Sequence, residues 1–220
     1  CSVTKVPILF LSNQQTVANP DGFRSLRLMK LKFFALLFAA MVGLGTVQEG
    51  LAKEPTAFEL IEEGNKHVGK DAKGRVVEIR SEKSVGSLTP NIWYVVYYDP
   101  DATAKATEVK FGAGKKLSVK RPARILQLAT GNKELDRDEL KVDSDEALKI
   151  ARKEPLLDRL KVENSQMWLL DHREHGVVWK IRFWAKKLRR PDQTVDIGDI
   201  YISAKTGDVV HNDLKIHRVD

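Results

Sequence analysis

One pattern occurs twice in this chain at nearly the same spacing, and it narrows the fold more than any composition figure. Thr56 is followed three residues later by Glu59, and Asp143 three residues later by Glu146. Both read as helix starts in which an N-cap oxygen accepts a backbone N–H and the glutamate reaches back. Phe58, Leu60 and Ile61 give the first helix an apolar side; Ala147, Leu148, Ile150 and Ala151 do so for the second. The segment Ile92–Tyr98 begins 36 residues after Thr56, and residues 178–184 begin 35 residues after Asp143. Both are aromatic and β-branched, as strands are. Aligned, Trp93, Val95 and Tyr97 match Trp179, Ile181 and Phe183. A period of two puts each set on one sheet face.

Each half then closes with a hairpin. Residues 107–111 and 117–119 flank a turn at 113–116, and residues 197–203 and 208–210 flank a turn at 204–207. An earlier strand, at 75–80 or 166–171, stands between each helix and its aromatic strand. The expected fold class is α+β: tandem small domains, each a helix packed on an antiparallel sheet. The divisions are residues 53–121 for the first domain, 122–142 for a linker with a helix around Ile125, Leu126 and Leu128, and 143–220 for the second. Trp93 and Trp179 are expected in the helix-packed core. Tyr94 and Tyr98 fall on the opposite face with Val96, and packing of one half against the other is the expected cover. Strand edges offer another mode of contact, addition of an extended peptide, with Pro90 and the short final strands blunting some of them.

The first 52 residues read differently. Met29 is the first methionine; Lys30 and Lys32 precede an apolar run at 33–47, and small residues follow at Gly50 and Ala52. This is the layout of a signal peptide over 29–52, cleaved after Ala52. Residues 1–28 read as a non-native or misannotated extension. A chain starting at Lys53 loses Cys1, the only cysteine, and keeps no thiol, disulfide or thiolate metal site. Its location is then periplasmic or secreted in a bacterium, with no stable membrane span after cleavage. The whole chain carries a formal charge of +7. Residues 1–52 contain five basic and two acidic residues, which lowers the excess to +4 for the remainder. So mild a surplus does not call for nucleic acid.

In the second half the residues reach a known pattern. Glu146-Ala-Leu-Lys-Ile-Ala151 after an acidic cap, the aromatic strand at 177–183, and the closing segment 199–210 with Ala204-Lys-Thr-Gly-Asp-Val-Val210 resemble the PepSY and PepSY-like domain family. The resemblance covers residues 143–212, and residues 56–119 look like a diverged second copy. It implies a small exported or membrane-linked module with a peptide-binding or protease-restraining role and no shared catalytic residues. The family's acidic residue before the final turn is replaced here by Ser203 or Ala204, and the first half lacks the Thr-Gly pair.

His172, Glu174 and His175 offer a weak set of metal donors, outweighed by a solvated hairpin loop. Gly112-Ala-Gly-Lys-Lys116 fails the spacing of a phosphate loop, and a strand follows where a helix should. Asp196 and Asp199, or Asp143 and Asp145, are carboxylate pairs without a sign of facing each other across a cleft. No catalytic, cofactor-binding or metal residue is assigned. The densest basic cluster is Lys186, Lys187, Arg189 and Arg190, with Trp184 just before it. An aromatic ring beside cations suits an acidic partner, and a solvated turn is the plainer alternative. The expected function is an exported, non-catalytic peptide- or protein-binding module that modulates a peptidase, its partner a protein or peptide of the cell envelope. An envelope structural protein and an enzyme of unfamiliar type are the alternatives.

Overall fold

The repeat reappears in the order of elements. A computed structural model describes residues 54–122 and 133–220. The first half runs α1 (Ala57–Gly64), β1 (Val76–Ser81), β2 (Ile92–Tyr98), β3 (Ala106–Gly112) and β4 (Lys115–Lys120). The second runs α2 (Ser144–Arg152), β5 (Val162–His172), β6 (Gly176–Lys186), β7 (Thr194–Ser203) and β8 (Val209–Leu214). The fold is α+β, but the eight strands form one antiparallel sheet, in the order β4-β3-β2-β1-β5-β6-β7-β8. The expected signal segment and the expected linker helix around Ile125 lie outside the described residues.

Both helices lie on one face of this sheet. Leu60 and Ile61 of α1 and Ala147, Leu148 and Ala151 of α2 share a core with Trp93, Val95, Tyr97, Trp179, Ile181 and Phe183. The two aromatic stripes therefore lie where period-two spacing placed them. Trp179 is fully buried, meets Trp93 edge-on at 6.5 Å and stacks with Phe58 at 6.4 Å. Its indole N–H donates to the Val142 carbonyl at 2.8 Å, while the Trp93 indole donates to Pro90 at 3.0 Å. The Tyr97 hydroxyl donates to the Ile61 carbonyl, and burial pushes its pKa up. Each buried indole or phenol thus has the acceptor its polar atom requires.

The helix starts differ from one another. The capping box at Thr56 and Glu59 is complete. At α2 the expected box is absent. The Asp143 carboxylate accepts from Ser144 N–H and also reaches Phe58 N–H of α1, at 3.2 Å. The Ser144 hydroxyl accepts from Ala57 N–H at 3.0 Å. The two N-termini meet, and residues 143 and 144 satisfy donors on both. A carboxylate between two positive helix ends is favourable for the same electrostatic reason that caps are acidic.

The halves join edge to edge along β1 and β5, where only Ile79↔Leu169 and Arg80↔Trp168 pair directly. Serines continue the seam. The Ser81 hydroxyl accepts from Met167 N–H and the Ser84 hydroxyl from Ser165 N–H, both at 2.9 Å. Ser84 N–H donates to the Ser165 carbonyl, and the Ser165 hydroxyl donates to the Leu88 carbonyl. All three serines are buried. Side-chain oxygens thus stand in for carbonyls where the strand has already turned away.

The turns also differ in detail from expectation. Lys115 and Lys116 belong to β4, so the β3–β4 turn is Ala113 and Gly114 alone, both with positive φ. That backbone suits a two-residue hairpin. Before the final turn, Ser203 ends β7. Its hydroxyl accepts from Lys205 and Thr206 N–H at 3.3 and 3.2 Å. Pro90 precedes the interior strand β2 and protects no edge; the sheet's outer strands are β4 and β8.

Candidate functional site

The structure separates the five residues of the basic cluster into two groups. Trp184 and Lys186 are the last residues of β6 on the face away from the helices. Lys187, Arg189 and Arg190 lie in the loop between β6 and β7. Lys187 N–H donates to Gln193, Gln193 N–H to Arg190, and Leu188 N–H to Val219 near the C-terminus. The loop is therefore pinned at three points. A bulge at Phe183/Trp184 opposite Gly198 and Asp196 turns the strands just before it. Only glycine fits there: φ is +100°, and a Cβ would come within 2.1 Å of the Asp213 carbonyl oxygen.

Within the cluster, Lys186 is held by Glu163 at 3.2 Å, and Lys83 of the first half lies over the Trp184 ring at 4.5 Å. Arg189 and Arg190 are exposed and, with Lys187, have no ion-pair partner among the described residues. Reading the sequence alone missed Lys83 and Lys161, which the fold adds to this end. Lys83 comes from the β1–β2 loop, and the Lys161 carbonyl accepts from Lys186 N–H. A groove of about 310 Å³ runs here between Gly86, Ser87 and Leu88 on one side and residues 161–164 on the other. Asn164 crosses its base to donate to the Ser84 carbonyl at 2.8 Å. The signal that could have found Lys83 was the serine-rich stretch around it, which is a seam rather than a spacer. This end of the sheet offers cations, an aromatic ring and a groove with a rigid backbone, which are the elements of recognition.

The face away from the helices corrects the expected half-to-half cover. Tyr98 packs with Val77, Val96 and Ala106 under Arg75, 4.3 Å from the ring. Tyr94 lies between Arg80 and Lys110. Cross-strand register aligns Lys110, Tyr94, Arg80, Trp168, Lys180, Tyr201 and His211 in one row from β3 to β8. Cations and aromatic rings alternate along it, so each ring is covered by a stem and a charge. Carboxylates balance the cations. Arg80 pairs with Glu78 and Glu108, Lys110 with Glu82, and Lys180 and Arg182 with Asp199. Asp196 and Asp199, a carboxylate pair in the sequence, share Arg182.

Asp199 is the buried member of this network. Burial raises its pKa, but the Arg182 hydrogen bonds and the Lys180 charge outweigh it, and the net shift is downward. A lowered folded pKa means stability that is present above the unfolded value, roughly 3.9, and lost as pH falls through the folded one. Asp199→Asn is expected to cost about 1–3 kcal/mol at pH 7, between an exposed and a fully buried pair. The difference from the unmodified protein should close below about pH 4. Thermal melts from pH 7 to pH 2 measure it, and a constant gap throughout would refute the assignment.

The histidines are closer together than their positions in the chain suggested. His172 and His175 stack at 4.8 Å, His211 joins from β8 at 6.2 Å, and Tyr201 meets His172 and His211 edge-on. Among the described residues no group of three or more His, Cys, Asp or Glu converges to hold a metal ion. No helix among them is long and apolar enough to cross a membrane. Comparison of the chain with protein-family models, curated proteins and solved structures gives no match.

Proposed function

We propose that this protein is an exported, non-catalytic protein- or peptide-binding module of the bacterial envelope, and that the basic end of its sheet receives an acidic partner. The observation that carries this reading is the set of unpaired cations Lys187, Arg189 and Arg190 on a pinned loop. They follow Trp184, whose ring Lys83 overlies, close to a groove lined by Lys161. On the sheet face Arg80, Lys110, Lys180 and Arg182 are matched by carboxylates, whereas Lys187, Arg189 and Arg190 are left for a ligand. The two halves read as tandem PepSY-like domains fused through β1 and β5, and peptidase modulation is the role that resemblance implies.

A fluorescein-labelled oligoglutamate tests the reading by anisotropy. It should bind the full chain and weaken as salt rises, because exposed charges are screened within about 10 Å at 0.1 M. Changing Lys186, Lys187, Arg189 and Arg190 together to serine should weaken binding about tenfold or more, at up to ~1 kcal/mol per exposed pair. Equal affinity for both proteins would remove the loop from the account. An envelope structural protein is the alternative reading; the free edge of β4 instead offers the binding reading a second mode, addition of an extended peptide as a strand. Among the described residues this strand pairs only with β3, and it exposes Leu117 and Val119.

A further inference from the structure

The groove beside Trp184 does not end at Leu88. On the other side of that residue a second, more open groove of about 400 Å³ lies between the β1–β2 loop and the outer face of α2. Leu88 lines both. Leu88 from the loop and Leu148 from α2 give the second groove apolar lining, and Thr89 lines it on the loop side. Its helical wall carries Asp145, Leu148, Lys149 and Arg152, residues three and four apart and therefore on one face of α2, with Lys153 at the end.

Two features of this groove identify what it fits. The first is charge. Lys149 is engaged by Asp145 and Glu146, at 3.9 and 3.4 Å. Arg152 and Lys153 are exposed and have no ion-pair partner among the described residues. The second is rigidity. The loop wall is held by the Ser165 hydroxyl on the Leu88 carbonyl and by the Ser87 hydroxyl on the Thr89 carbonyl. A preformed wall lowers the ordering cost of a ligand.

We infer that the partner segment continues over Leu88 onto α2. There it places an apolar side chain between Leu88 and Leu148 and an acidic side chain against Arg152 and Lys153. The recognised chemistry is thus an acidic peptide interrupted by an aliphatic residue, not a uniformly acidic one. Acidic side chains give the encounter, and the aliphatic one gives selectivity. The inference rests on the partner-binding reading above and specifies its ligand.

The test compares two fluorescein-labelled decapeptides on the full chain: one all glutamate, the other with two central leucines. The leucine peptide should bind about tenfold more tightly, as expected for an apolar side chain buried in a pocket. Thr89→Asp and the pair Arg152→Glu, Lys153→Glu alter exposed positions; circular dichroism melts should match the parent. Thr89→Asp should abolish the leucine preference, because it puts a charge beside the apolar contact; the charge-reversed pair should weaken both peptides about tenfold, because each sets an acidic side chain against Arg152 and Lys153. If the parent shows no leucine preference, if Thr89→Asp keeps it, or if the charge-reversed pair binds both peptides as the parent does, the inference is overturned. Loss of binding in the loop variant then still supports the wider reading. If neither peptide binds the parent, both readings fall.

Discussion

Trp179→Ala should cost about 3–5 kcal/mol, the range for removing a large aromatic from a packed core. The site leaves little room for relaxation. The ring is fully buried, stacked with Phe58 from α1 and met edge-on by Trp93 from the other half. Removing it opens a cavity that touches both helices and both aromatic strands. It also leaves the Val142 carbonyl without its donor, just before the residues that cap both helices. Against a typical total stability of about 5–15 kcal/mol, such a loss takes much of the protein to the edge of unfolding. Trp179→Phe keeps most of the packing and loses the donor, so it should cost about 1–3 kcal/mol. Guanidinium titration followed by far-ultraviolet circular dichroism measures both. Equal, small costs for the two variants would show that the ring is not a keystone between the halves.

The second large effect is expected at the seam. Ser81→Ala with Ser84→Ala removes the acceptors for Met167 and Ser165 N–H, at positions with no spare backbone partner in the β1–β5 ladder. Leaving a buried donor unpaired costs about 1–3 kcal/mol, so the double variant should lose about 2–6 kcal/mol, less any coupling between neighbours. The consequence is not only loss of stability. With two direct pairs remaining between β1 and β5, the halves should uncouple, and a single thermal transition should broaden or divide. Hydrogen exchange should show the Met167 and Ser165 amides losing protection before those of β6 and β7. Retention of one sharp transition with unchanged exchange would mean that the shared core alone binds the halves together.

Much of this architecture could be read from the residues, and the failures have physical causes. The aromatic strands and their inward faces were legible because alternation at Trp93, Val95 and Tyr97, and again at Trp179, Ile181 and Phe183, is a local signal. The Thr56 cap was legible for the same reason. Asp143 was legible as an N-cap too, but not its full bonding, because its carboxylate also accepts from Phe58 N–H of the other helix, 85 residues earlier. The union of the halves into one sheet left no local trace either. Ser81, Ser84 and Ser165 look like ordinary polar positions until the strand they serve is known. The cover over Tyr94 comes from Arg80 and Lys110 on the strands to either side, that over Tyr98 from Arg75, and His211 reaches His175 only through the β7–β8 hairpin. At the candidate site, Trp184 and the four cations were visible as a cluster. Lys83 over Trp184, and the groove between residues 86–88 and 161–164, depend on the long β1–β2 loop reaching across to β5.

The most direct measurement is affinity capture from a native envelope fraction, with the tagged full chain and its Lys186, Lys187, Arg189 and Arg190 serine variant as parallel baits, read by quantitative mass spectrometry. The account predicts an envelope protein or peptide, acidic where it makes contact, recovered by the unmodified chain and lost from the variant. Identical recoveries by both baits, or recovery of the bait alone, would contradict it.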